Sequence, residues 1–129
     1  MRKNCVVVLI NGKRIMFYCG IHMGYLDYHR YPDFSLISKS GEFDNALSCI
    51  IITHFHMDHI GALPYFTEVC GYDGPVYMTY PTKALASLML EDYRQVMVDR
   101  RGEEEQFTSK NIVQCMKKVI VDLKCTIQS

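Results

Sequence analysis

The stretch IIITHFHMDHIGALP, residues 50–64, sets three histidines and an aspartate within six positions, directly after a β-branched apolar run. SCIIIT, 48–53, has the continuous apolar character of a strand buried on both faces, as parallel strands are. The metal-loving side chains therefore stand at the mouth of an interior strand. On an extended chain residues two apart project to the same side, so His54 and His56 can converge on one ion. The chain then turns toward IGALPYF, and Asp58 and His59 can face a second position beside it. Neutral imidazole nitrogen and carboxylate oxygen both suit zinc at about 2 Å. Two metals about 3.5–4 Å apart can share a hydroxide and clamp both oxygens of a phosphodiester displacement. The spacing H-x-H-x-D-H answers that demand, with two ligands for each of two metals. Ordinary loop polarity is the simpler reading for the isolated His22 and His29. A single structural zinc is a weaker alternative, because no cysteine pair lies nearby.

Outward from this cluster the chain reads as alternating strands and helices. Upstream, CVVVLINGKRIMFY, 5–18, is a hairpin: two β-rich runs flank Asn11-Gly12, a pair that accepts positive φ at both turn positions. Residues 19–46 read as a long loop punctuated by Gly20, Gly24, Pro32 and Gly41, a length that usually signals binding or a lid. Downstream, GALPYFTEVCG, 61–71, predicts a short helix ending at Gly71, and GPVYMT, 74–79, a strand. PTKALASLMLEDYRQVMVDRRG, 81–102, is the clearest helix. Pro81 suits its start, and Leu85, Leu88, Met89 and Val96 recur at helical spacing as a core-packing stripe. The charged RRGEEEQF, 100–107, reads as a solvated turn. TSKNIVQCMKKVI, 108–120, reads as a second amphipathic helix capped by Thr108 or Ser109. TIQ, 126–128, begins a last strand. The order predicts a layered α/β domain of four or five strands, with no element that covers the far face of the sheet.

The 129 residues suit one domain, and about half are apolar, enough for a real core. Fourteen acidic and fourteen basic residues cancel, so no global field favours nucleic acid or a membrane. Six scattered cysteines without a C-x-x-C pair argue against a disulfide framework or zinc ribbon, and most read as buried reduced thiols. The start, MRKNCVVVLI, is too short in its apolar run for a signal peptide, and no stretch reaches membrane-spanning length. The chain reads as soluble and intracellular.

THFHMDHIGALP, 53–64, resembles the signature of the metallo-β-lactamase superfamily. GIHMGYLDYHRYPDFS (20–35), HFHMDHIGALPYFTEVCGYDGPVYMTYPT (54–82) and LMLEDYRQVMVDRRGEEEQFTS (88–109) select a branch. They are similar to the β-CASP RNA endonucleases of RNA 3′-end processing, within them the Integrator and second-type cleavage and polyadenylation specificity factor group. The resemblance runs from about Cys5 to Gln128. It implies an αββα fold of the α/β class, a centre of two zinc ions, and hydrolysis of RNA by a hydroxide activated between them. It implies that His54 and His56 hold the first zinc and Asp58 and His59 the second. It also implies an RNA substrate and fellow subunits of an RNA-processing complex in the nucleus, with the cytoplasm as the alternative location. Neither a membrane nor a small-molecule cofactor is implied. A thioester or lactam substrate, the choice of other superfamily branches, is disfavoured by the flanking matches.

Departures from the pattern qualify this. The family carries an aspartate before Cys-Gly at the end of the second hairpin strand, where MFYCG has Tyr18. Such a carboxylate orients the metal-binding loop from outside, and tyrosine brings no negative charge at neutral pH. The family's opening strand is represented only by RKNC, residues 2–5. Its later histidine, bridging aspartate and proton-transfer histidine are expected beyond the chain end. The expectation is thus a partial αββα fold, a truncated metallo-β-lactamase domain over 1–129 without the β-CASP domain. Such a piece is expected to be inactive alone. The alternative is a non-catalytic interaction fragment or degenerate copy of the enzyme.

Overall fold

A computed structural model describes residues 5–21, 30–100, 102 and 106–121. Strands β1 (Cys5–Ile10) and β2 (Lys13–Cys19) form an antiparallel hairpin. Its turn has φ of 50° at Asn11 and 78° at Gly12, the doubly positive turn that matches strand twist. Strands β3 (Cys49–Ile52), β4 (Val76–Met78) and β5 (Val119–Ile120) then add in parallel, in the order of the chain. Helices make the connections, as parallel pairing requires: one-turn α1 (Phe43–Ala46) and α2 (Met57–Ile60), then α3 (Tyr80–Gln95) and α4 (Ser109–Lys118). π-helical turns cover Tyr65–Val69 and Val96–Arg100.

Register explains where the core lies. Met16, Ile50, Val76 and Val119 are mutual partners across four strands, and all are buried. They join Ile52, Met78 and the helical residues Phe66, Ala86, Leu90, Ile112 and Cys115 in one cluster. The next row, Phe17, Ile51, Tyr77 and Ile120, points to the opposite face and stays partly exposed. The strand at 48–53 is therefore buried on one face, not both, although it is parallel to both neighbours. Parallel pairing gave it the apolar run, and the single layer of helices left Cys49 and Ile51 partly open.

Other expectations shift in phase. In α3 the buried positions are Thr82, Ala86 and Leu90, whereas Leu85 and Leu88 are exposed. Leucines lie on both sides of this helix, so periodicity did not separate them. The helix expected over 108–120 stops at Lys118, because Val119 and Ile120 pair with β4. Thr108 caps it: its hydroxyl accepts from Asn111 N at 3.0 Å, while Asn111 Oδ1 accepts from Thr108 N at 2.8 Å. The stretch 19–46 holds a 3-10 turn, Phe34–Leu36, and α1, which its glycines concealed. Of the five described cysteines, all free, Cys19 and Cys115 are buried and Cys5, Cys49 and Cys70 only partly so. The strand expected at 126–128 lies outside the described residues, as do His22 and His29. Among the described residues no helix is long and apolar enough to cross a membrane.

Candidate metal centre

The cluster sits where β3 releases the chain at its C-terminal end. Thr53, His54 and Phe55 continue without regular structure, and extended His56 (φ −67°, ψ 152°) caps the single turn of α2. The His56 carbonyl accepts from His59 N at 2.9 Å and Ile60 N at 3.0 Å, closing that turn. Asp58 and His59 are thus helical rather than extended.

Two backbone bonds fasten this turn to the end of β2. Ile21 N donates to the Met57 carbonyl at 3.1 Å, and Ala62 N to the Cys19 carbonyl at 3.0 Å. Between them Gly20 lies flat against Asp58. A Cβ at position 20 would stand 1.7 Å from the Asp58 carbonyl oxygen and 2.1 Å from its carbon. Only glycine lets the two segments approach so closely. Cys19 is fully buried, and desolvation holds its thiol well above the ordinary range, so it is a neutral packing residue here and not a thiolate ligand.

The side chains gather around His54. Its ring centroid is 4.0 Å from that of His56, edge to face, and 5.5 Å from that of His59. Asp58 Oδ2 is 3.6 Å from His59 Nε2. The Tyr18 ring lies 4.9 Å from the His59 ring, tilted by 37°. His59 Nδ1 is buried without a hydrogen-bond partner. All four expected donors are therefore neighbours, and Tyr18 abuts them. Their chemistry, three imidazoles and a carboxylate with one orphaned ring nitrogen, fits a divalent ion. The arrangement is gathered but not closed: among the described residues no group of three His, Cys, Asp or Glu side chains is placed to hold an ion as it stands.

Two features escaped the sequence. Gly20 reads there as loop punctuation, and its packing against Asp58 arises only from the folded crossing. Tyr18 takes φ of 49°, a left-handed conformation that a residue late in a β-rich run does not announce.

Comparison with known proteins gives matches along most of the chain. The family model described as "Metallo-beta-lactamase superfamily" matches residues 2–108. The chain is 78% identical over 127 residues to cleavage and polyadenylation specificity factor subunit 3-II of Arabidopsis thaliana, covering 98% of this chain and 21% of that protein. It is 58% identical over 127 residues to the Integrator complex subunit 11 homolog of Dictyostelium discoideum, covering 98% and 17%. Against the endoribonuclease ysh1 of Schizosaccharomyces pombe it is 33% identical over 129 residues, covering 98% and 16%. The chain thus spans about a fifth of the length of these relatives.

Proposed function

Because the chain belongs to the metallo-beta-lactamase superfamily, we propose that it forms the metal-binding part of an RNA endonuclease of nuclear RNA 3′-end processing. The observation that carries this reading is the gathering of His54, His56, Asp58 and His59 at the end of β3. The names of the relatives supply the substrate class: an endoribonuclease and subunits of a cleavage and polyadenylation factor and of Integrator. They also supply the partners proposed, fellow subunits of such a complex.

The family implies metal ions, and zinc is the ion proposed. His54 and His56 would hold one, and Asp58 and His59 a second. When bound, such ions supply positive charge to a phosphodiester and lower the pKa of water toward neutrality. The chain's own residues do the positioning. The bonds Ile21–Met57 and Ala62–Cys19 hold the turn that carries Asp58 and His59 against the end of β2. His56, as the extended cap of α2, holds its ring at the start of the turn while Asp58 and His59 project from it. The ring of partly exposed Phe55 lies 5.1 Å from each of the two leading histidine rings, which contact each other directly at 4.0 Å.

A second reading, a non-catalytic copy of such an enzyme, is favoured by Tyr18 beside His59. RNA cleavage by the chain in the context of its processing complex separates the two. The nuclease reading expects chelator-sensitive cleavage that is lost in His54→Ala; equal cleavage by the variant, or none by either, would refute it.

A further inference from the structure

β1 and β2 do not pair evenly to their end. From Ile10–Lys13 to Val6–Phe17 each step along one strand matches one step along the other, a register that would set Cys5 opposite Tyr18. A bulge intervenes between Val6 and Cys5, and the partner of Cys5 is Cys19. Tyr18 is the extra residue, and it takes the left-handed φ of 49° open to an inserted bulge residue. The bulge thereby sets two cysteines face to face across the ladder. Directly opposed residues share one face of a sheet. Here it is the core face: Cys19 is fully buried in the core, and partly buried Cys5 packs against that core. Both are free thiols.

Opposed strand residues hold their Cα atoms about 4.5–5.5 Å apart, within the range of about 4.4–6.8 Å that a disulfide spans. Their Cβ atoms stand about 4.5–5.5 Å apart, whereas a disulfide holds them at about 3.5–4.5 Å. A bond closed here has to draw the strands together, and a bond made under strain is easily reduced. The geometry therefore suits a reversible link better than a permanent staple. Burial sets how readily it closes. Desolvation raises the Cys5 thiol, and it raises that of Cys19 well above the ordinary range, with Cys5, then Cys115 and Cys70, pushing the same way. Thiols held neutral react slowly, so the pair stays reduced until oxidant is abundant.

We infer that Cys5 and Cys19 are a redox-sensitive pair, closed to a cross-strand disulfide by hydrogen peroxide and reopened by a thiol such as glutathione. Peroxide oxidises the more accessible Cys5 thiol to a sulfenic acid and releases one water. The Cys19 sulfur then displaces the sulfenic hydroxyl, which leaves as a second water as the S–S bond forms. The two thiols give up two hydrogens and two electrons, and one peroxide takes them. In the reverse direction two glutathione thiols supply the electrons and protons and leave as glutathione disulfide. The Cys19 carbonyl accepts from Ala62 N, so the closed bond links β1 covalently to the strand end on which the α2 turn rests.

The test treats the folded chain with hydrogen peroxide, blocks the remaining thiols with an alkylating agent in denaturant, and maps the links in the monomeric chain by mass spectrometry. Trypsin places the two cysteines in separate peptides, residues 4–13 and 15–30. These peptides are expected to leave the digest joined, with the loss of two alkylated thiols per chain. They are expected to separate when the oxidised chain meets excess reduced glutathione before blocking. Cys5→Ala is expected to form no link at Cys19, and the wild-type map decides the matter even if that variant fails to fold. Cys19 linked instead to Cys70 or Cys115, or Cys5 oxidised beyond the sulfenic acid with Cys19 still free, overturns the pairing. A joined 4–13 and 15–30 that survives glutathione overturns its reversibility.

Discussion

Of the described glycines, Gly20 has the closest neighbour to a would-be Cβ, 1.7 Å away. Any side chain there meets the Asp58 carbonyl, a backbone atom that cannot swing away as a long side chain could. Gly20→Ala therefore forces β2 and the α2 turn apart. Overpacking of this kind costs about 1–3 kcal/mol; chemical denaturation should show that loss, together with reduced zinc affinity, since the same displacement moves Asp58 and His59. At this scale the donors were legible and their supports were not. H-x-H-x-D-H announces itself by spacing along the chain. Gly20 matters through a crossing of segments some 40 residues apart in sequence, which no local period records, and Tyr18 drew notice only through the family resemblance.

At the scale of elements, α3 and α4 are joined through one carboxylate. Glu91 Oε1 accepts from Arg94 Nη2 at 2.6 Å and from the Ser109 hydroxyl at 2.7 Å, linking the last turns of α3 to the first of α4. The hydrogen bond from Arg94 lowers the Glu91 pKa, with Ser109 adding to it and partial burial opposing. A carboxylate held below its unfolded value stabilises the fold above that value, about 4.5, and loses the contribution as pH falls through the lowered folded value. Glu91→Gln is expected to be less stable than wild type at pH 7 by at most about 1 kcal/mol, since the pair is partly solvated. The difference should vanish in acid; thermal melts from pH 7 to pH 3 measure it, and a constant difference would count against the linkage. Both long helices were legible because apolar residues recur in them. Their limits were not: Val119 and Ile120 continue the apolar pattern of α4, and only the free edge of β4 converts them to strand.

Across the whole molecule, the helices and the buried row Met16–Ile50–Val76–Val119 make a rigid platform. The candidate site lies beyond the C-terminal end of β3, the end at which open parallel sheets present their ligands. The α/β class was readable from the alternation of apolar runs, and the parallel character of β3 from its continuous apolar stretch. The one-sided burial of β3 was not, since an apolar run is the same whether one face or two are covered. The partly exposed Phe17, Ile51, Tyr77 and Ile120 mark that difference. The purpose proposed for the platform is that the four side chains at its edge take up divalent ions together. Zinc titration of the folded chain, followed through the imidazole nitrogen resonances, tests this most directly. His54, His56 and His59 are expected to shift in concert and saturably, with His54→Ala abolishing the response at the other two. Imidazoles that stay fixed as zinc is added, or that respond one by one without saturation and regardless of His54, would contradict it.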